Sequence, residues 1–147
     1  MTSSNSADTA ACLRRALALL ARRDHFSTEL VDKLVEKEFS REDAEAALKK
    51  LRELRYLDDR RILEAYAAEM KRRKKGFLFF CKKLMEKKAR SLFTDRELRE
   101  AYPVAEERTI ARALAAKMRW DRNEARRRLA SRGFSGEAAG HAGREDR

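Results

Sequence analysis

Glycine and proline are scarce in this sequence of 147 residues. It contains five Gly and one Pro, and Gly76 is the only glycine before residue 133. Because tight hairpin turns depend on glycine and proline, this scarcity argues against a sheet built of hairpins. Charged residues make up 41% of the chain and aromatic residues 7%, which is typical of helices rich in Ala, Leu, Glu, Lys and Arg. We therefore predict an all-α fold.

Long apolar runs are also missing. No stretch approaches the ~18 apolar residues that a membrane span requires, and the polar N-terminus, Met1–Asp8, lacks the hydrophobic core of a signal peptide. The two cysteines, Cys12 and Cys81, lie far apart and form no CxxC motif. These absences predict a reduced, cytoplasmic protein without membrane association, in which residues 1–8 form a disordered lead-in.

The sequence offers no catalytic constellation. His25 and His141 have no partner at the spacing of a metal or nucleophile site, and no glycine-rich phosphate loop is present. Asp58 and Asp59 could form a pair of acid–base carboxylates, but their place between Leu57 and an apolar helical segment favours helix capping. We expect neither enzymatic activity nor a cofactor or metal ion.

Helix-start signals recur along the chain. In each, an apolar residue precedes a Ser, Thr or Asp that can cap a helix. These signals predict N-caps at Ser27, Ser40, Asp58, Thr94 and Asp121. Apolar residues at helical spacing then predict the buried stripes, which include Leu54 in the third helix and Met118 in the seventh. The fifth predicted helix runs from Phe77 to Arg90.

An internal repeat organises these helices. Apolar residues four apart are followed by Phe and then by Ser or Thr, in the sets Leu30, Leu34, Phe39, Ser40; Phe80, Leu84, Phe93, Thr94; and Ala125, Leu129, Phe134, Ser135. The pattern predicts an elongated array of three three-helix repeats at residues 9–55, 56–102 and 103–147. Because Gly136, Gly140 and Gly143 disfavour helix, the last helix should be degenerate and the C-terminal tail frayed.

Positive charge is concentrated in the middle of the chain. Residues 71–90 hold ten Lys or Arg against one acid, Glu86, in a chain whose net charge is +11. Such a region indicates a polyanionic partner. The residues predicted to contact nucleic acid or a protein partner are Lys71, Arg72, Arg73, Lys74, Lys75, Phe79, Lys82, Lys83, Lys87 and Arg90, with a second patch at Arg126, Arg127, Arg128 and Arg132.

Phe79 is central to this interpretation. Its spacing from Lys82 and Lys83 places it on the basic face of the fifth helix, where an aromatic ring could stack on a base or anchor a protein contact. In the alternative interpretation, Phe79 packs against the next repeat and the lysines are a solvated face.

Four short motifs resemble the RecX regulatory proteins, which modulate the RecA recombinase. They are Arg22-Arg23-Asp24-His25 followed by Ser27-x-x-Leu30-x-x-Lys33-Leu34, Tyr56-Leu57-Asp58-Asp59-x-Arg61-Ile62, Gly76-x3-Phe80-x3-Leu84-x-x-Lys87, and Arg132-Gly133-Phe134-Ser135. The sequence departs from the family at Arg55, Glu38 and Lys88, which stand where the family usually has Gly. The resemblance implies a curved row of three-helix units that binds a RecA–DNA filament, limits recombinase activity, and so acts in DNA repair and the SOS response.

Three functional interpretations follow. The main one is a monomeric, non-enzymatic regulator whose partners are a RecA-type recombinase filament and the single-stranded DNA within or beside it. The second is a stand-alone helical DNA-binding protein that uses one unit like a helix-turn-helix. The third is a basic helical adaptor for an acidic protein.

Overall fold

A computed structural model describes residues 6–144, and within that range the chain forms nine α-helices and no strand. The predicted all-α class is confirmed. The helices are α1 (Ser6–Arg22), α2 (Ser27–Glu36), α3 (Arg41–Glu53), α4 (Asp59–Arg72), α5 (Phe77–Glu86), α6 (Asp95–Ala101), α7 (Val104–Met118), α8 (Arg122–Ser131) and α9 (Gly136–Ala139), with a 3-10 turn at Arg90–Leu92. Residues 1–5, part of the predicted disordered lead-in, lie outside the described range.

The chain divides into two compact units. The first, called unit 1, comprises Met1–Ile62 with Lys87–Ala89, and the second, unit 2, comprises Leu63–Glu86 with Arg90–Arg147. In unit 1, α3 packs on α1 and α2 around a core that is built mainly of small and aliphatic side chains. In unit 2, α9 packs on α7 and α8 around Trp120, Leu129 and Phe134. The division into three repeats remains a prediction from the sequence pattern.

Four of the five predicted N-caps are confirmed by hydrogen bonds. The side chains of Ser40, Asp58, Thr94 and Asp121 accept the N–H of the residue three positions later, at 3.0, 3.2, 3.1 and 2.8 Å. Each bond satisfies a backbone donor that the first helical turn leaves unpaired. Local sequence therefore fixes where α3, α4, α6 and α8 begin.

The predicted cap at Ser27 is wrong. The N-cap of α2 is Phe26, and its N–H donates to the Glu29 carboxylate at 3.2 Å. Ser27 is the first helical residue, and its N–H and hydroxyl donate instead to Asp59 at 2.7 and 2.6 Å. The first turn of α2 is thus satisfied by a carboxylate 32 residues away.

The predicted end of the fifth helix is also wrong. α5 stops at Glu86, and Lys88 follows with a φ of 58° in the left-handed region. Four other non-glycine residues adopt a positive φ, namely Glu38, Arg55, Lys74 and Arg119. A residue in this conformation closes a helix, a role usually given to Gly. Because Lys88 breaks the helix, Lys87 and Arg90 do not continue the predicted basic face.

Two predicted core positions are exposed. Leu54 and Met118 are 47% and 52% exposed, because they lie at the C-terminal ends of α3 and α7, where the chain leaves the helix.

The prediction of a degenerate last helix is confirmed, since α9 has four residues.

Candidate binding surface

Two turns meet beneath the basic region of unit 2. The turn between α4 and α5 contacts the turn between α8 and α9 through the Gly76 N–H, which donates to the Arg132 carbonyl at 3.0 Å, and the Leu78 N–H, which donates to the Gly133 carbonyl at 2.8 Å. A β-carbon on Gly76 would lie 2.2 Å from the Phe134 backbone. Both turns carry predicted site residues, so the structure brings Lys74 and Lys75 near Arg132.

A buried carboxylate holds this joint together. Glu107, on α7, is fully buried. It accepts the N–H groups of Phe77 and Ser135 at 3.0 and 2.9 Å and the Ser135 hydroxyl at 2.6 Å. The Arg99 guanidinium donates to it at 3.1 Å. Burial alone would raise the pKa of Glu107, but the hydrogen bonds from Ser135, Phe77 and Arg99 outweigh it and lower the pKa below its usual range.

Phe79 lies among the lysines, as predicted, but its ring is only partly open to solvent. The ammonium groups of Lys75 and Lys83 lie 4.9 and 5.3 Å from the ring centroid, within the range of a cation–π contact. A β-carbon on Gly133 would lie 2.6 Å from the Phe79 β-carbon. Phe79 therefore agrees with parts of both interpretations of the sequence. It contacts the α8–α9 turn, and it orders two cations at the surface.

Several predicted site residues are already paired. Lys71 forms an ion pair with Glu106 and lies over the Tyr102 ring, and Lys83 lies 3.3 Å from Glu86. Arg90 pairs with Asp95. Arg128 bonds to Glu124 at 3.0 Å and lies over the Trp120 ring. In unit 1, Lys87 lies 4.0 Å from Glu29. These pairs reduce the charge that the side chains can offer to a partner.

The remaining cations of unit 2 are more available. Six of the predicted residues are exposed and have no ion-pair partner within residues 6–144, namely Arg72, Arg73, Lys74, Lys82, Arg126 and Arg127. They extend from the end of α4, along α5, to the middle of α8. We call these six residues the open cations.

The outer face of α5 also carries apolar side chains that lie outside the predicted site. Leu78 and Met85 are 55% and 65% exposed, and Lys82 lies between them on the same helical face. Their spacing of seven residues is a sequence signal for a shared helical face, separate from the core face that Phe77 and Phe80 predict. The outer face of α5 therefore presents two apolar side chains around one open cation.

The described residues offer no metal site. No group of three or more His, Cys, Asp or Glu side chains between residues 6 and 144 is arranged so that it could hold a metal ion. His25 is buried in the α1–α2 turn and His141 is exposed after α9. None of the described helices is long and apolar enough to cross a membrane.

The comparisons with known proteins confirm the resemblance to the RecX family. Residues 12–51 match the family model described as "RecX, first three-helix domain". One similar solved structure is a regulatory protein RecX, with a TM-score of 0.69 and 23% identity, over 89% of this chain and 69% of that one. Another is RecX from Lactobacillus salivarius, with a TM-score of 0.66 and 23% identity, over 92% and 94%. No curated protein matches the sequence.

The family match and the structural likeness carry different information. The match over residues 12–51 covers α2 and most of α1 and α3. At 23% identity the two solved structures support the fold alone. Together they show a RecX-like fold whose first three helices resemble the first RecX domain.

Proposed function

We propose that this chain regulates a RecA-type recombinase in the cytoplasm by binding the recombinase–DNA filament and lowering its activity in DNA repair and recombination. The observation that carries the proposal is the match of residues 12–51 to the first RecX domain within a fold of the same kind. The charge distribution of unit 2 supports a polyanionic partner.

The open cations supply the electrostatic part of the contact. Arg126 and Arg127 lie side by side on α8, while Arg72, Arg73 and Lys74 surround the end of α4. Exposed guanidinium and ammonium groups attract phosphates and carboxylates without first breaking an internal ion pair. Lys75, Lys83 and Phe79 form a pre-ordered group beside them.

The outer face of α5 supplies a contact that favours protein over bare DNA. Leu78 and Met85 gain little from a phosphate backbone, whereas burying them against an apolar protein patch stabilises a complex. Lys82 between them would pair with an acidic side chain of the partner. A filament offers both phosphates and protein, so it would engage the whole surface.

Paired titrations test the proposal against a stand-alone DNA-binding protein. Fluorescence anisotropy would measure binding to a recombinase–DNA filament and to the same single-stranded DNA alone, at matched salt. We expect tighter binding to the filament, and binding that weakens steeply as salt rises because counterions are released from phosphates. Equal affinities for the two ligands would favour a general DNA-binding protein.

Charge reversal locates the contact. The double variant Arg126→Glu, Arg127→Glu should weaken filament binding by about tenfold or more at low salt. The matched control is Lys49→Glu, Lys50→Glu, which reverses two exposed lysines of α3 in unit 1. Equal losses in both variants would show that only net charge matters. Point variants are preferable to a truncation after Tyr102, which would remove Glu107 and expose the joint beneath α5.

A further inference from the structure

A basic cavity lies in unit 1, and none of its lining residues is among the binding residues named above. Its volume is about 400 Å³, and it is lined by Leu19, Arg22, Arg23, His25 and Lys33. The last turn of α1, the α1–α2 turn and the last turn of α2 supply these residues. Four of the five lining side chains can carry positive charge, so the cavity has the composition of an anion site.

Two of the cations are uncommitted. Arg22 and Lys33 have no ion-pair partner in the part of the chain that the structure describes. Arg23 donates to the Asp24 carbonyl at 3.1 Å and lies 3.4 Å from the Glu29 carboxylate. Since a guanidinium has five N–H donors, these contacts leave Arg23 further donors for a ligand.

Two neighbouring carboxylates oppose this charge, Glu29, which contacts Arg23, and Asp24, and each also has a partner outside the cavity. Glu29 accepts the Phe26 N–H at 3.2 Å, lies 4.0 Å from the Lys87 ammonium, and is not among the lining residues. Asp24 is exposed and lies 3.5 Å from Arg61. The cavity therefore keeps an excess of positive charge at neutral pH.

The pKa of His25 responds to the positive charge of the cavity. It is 2% exposed, and its Nδ1 lies 2.9 Å from the Arg23 carbonyl oxygen. Because a carbonyl oxygen only accepts, Nδ1 carries the hydrogen and Nε2 is left for another partner. Burial lowers the pKa of His25, and the charges of Arg23 and Lys33 lower it further, against the opposing effects of the Arg23 carbonyl and Glu29. A bound anion would oppose this lowering.

We propose that this cavity binds a phosphate group, supplied either by a nucleic-acid strand or by a free nucleotide. Paired guanidinium groups and an ammonium match the tetrahedral oxygens of phosphate, and the volume accommodates a phosphate with part of its sugar. The site lies in unit 1, whereas the open cations all lie in unit 2. Phosphate binding at this cavity can therefore be present or absent independently of the proposed recombinase regulation.

Proton nuclear magnetic resonance of the intact chain tests the site directly. The chain has two histidines, His25 and His141, so the exposed His141 supplies a reference resonance in the same sample. The probes are dimethyl phosphate and a thymidine oligonucleotide, whose phosphodiesters keep a constant charge across the titration of His25. We expect each probe to raise the pKa of His25, and binding to strengthen as pH falls through that pKa.

A matched pair of lysine variants separates the cavity from general charge. Lys33→Gln should weaken phosphate binding by about fivefold, whereas Lys37→Gln, which removes an exposed lysine at the end of the same helix, should have little effect. An unchanged circular dichroism spectrum shows that both variants are folded. Arg22→Gln should reproduce the effect of Lys33→Gln.

The outcomes distinguish the two phosphate sources. If Lys33→Gln weakens binding of the oligonucleotide more than binding of ATP at matched salt, the cavity is assigned to a nucleic-acid strand, and the reverse order assigns it to a nucleotide. If saturating phosphate probes leave the titration of His25 unchanged, or if both lysine variants lose affinity equally, the cavity is not a phosphate site.

Discussion

Two carboxylates hold serine residues in nearly the same way, one in each unit. In unit 1, Asp59 accepts the N–H and hydroxyl of Ser27 at 2.7 and 2.6 Å. In unit 2, Glu107 accepts the N–H and hydroxyl of Ser135 at 2.9 and 2.6 Å. Both contacts attach the start of one helix to a carboxylate distant in sequence. Their surroundings differ: Asp59 is half-buried, whereas Glu107 is fully buried and also binds Phe77 and Arg99.

The difference shows how burial changes the importance of the same hydrogen bonds. When a half-buried carboxylate is lost, water can reach the donors that it leaves. The donors around Glu107 have no such replacement, and the Arg99 guanidinium would lose its counter-charge. The Glu107 contact should therefore dominate the stability of unit 2, including the joint beneath the open cations, whereas the Asp59 contact should be one of several contributions in unit 1.

The largest expected effect is that of Glu107→Ala. Removing one partner of a buried, hydrogen-bonded ion pair costs about 3–5 kcal/mol in the free energy of unfolding. Urea denaturation would measure this loss. The matched control is Glu106→Ala, which removes an exposed partner of Lys71 and should cost less than about 1 kcal/mol. Similar losses in the two variants would contradict the role assigned to burial.

A smaller effect on the free energy of unfolding is expected when the pH is lowered. The pKa of Glu107 is lower in the folded chain than its usual value, so its contribution to stability is fully present above the pKa of an unfolded-chain glutamate. It is lost as pH falls through the lowered, folded-state pKa. The difference in unfolding free energy between the native chain and Glu107→Gln should therefore shrink as pH falls. A difference that stays constant across this range would show that Glu107 is not the titrating group.

Asp59→Ala should cost about 1–2 kcal/mol, because it leaves the Ser27 N–H and hydroxyl without their partner while water can partly replace it. Asp24→Ala is the control, since Asp24 forms an exposed pair with Arg61 and contributes little. Thermal unfolding monitored by circular dichroism would rank the two. A loss of stability as large as that of Glu107→Ala would contradict the proposed difference between the two carboxylates.

The smallest expected effect concerns the helix ends, which also differ between regions. α8 is followed by Gly133 with a φ of 84°, whereas α3 is followed by Arg55 with a φ of 63°. Because a β-carbon is strained in this conformation, Arg55→Gly should stabilise the chain by about 0.5–1 kcal/mol. Arg52→Gly, within α3, should destabilise it by about 1 kcal/mol. Melting temperatures that shift in the same direction for both variants would reject this explanation.

The sequence predicts what depends on neighbouring residues. The caps at Ser40, Asp58, Thr94 and Asp121 follow from donors and acceptors three positions apart, and the all-α class follows from composition and apolar spacing. The short α9 follows from its glycines. The resemblance to the RecX family came from the order of several weak motifs, and the match over residues 12–51 supports it.

The sequence does not predict what depends on distant partners. Ser27 looks like a cap until Asp59, 32 residues away, takes its hydrogen bonds. Glu107 looks like one of several acids on α7, because its donors lie on α5, α6 and the α8–α9 turn. The end of α5 differs from the predicted one because Lys88 adopts a conformation that Gly usually supplies. In the candidate site, ion pairs such as Arg90 with Asp95 distinguish committed from open cations only in three dimensions.

The most direct test of the proposed function is the rate of ATP hydrolysis by a RecA-type recombinase on single-stranded DNA. The purified chain would be added at amounts well below one per recombinase subunit, with the variant Arg126→Glu, Arg127→Glu in parallel. We predict that the native chain slows hydrolysis at these amounts and that the variant does so more weakly. An unchanged rate, with the chain shown to be folded, would contradict the assignment of this protein as a recombinase regulator.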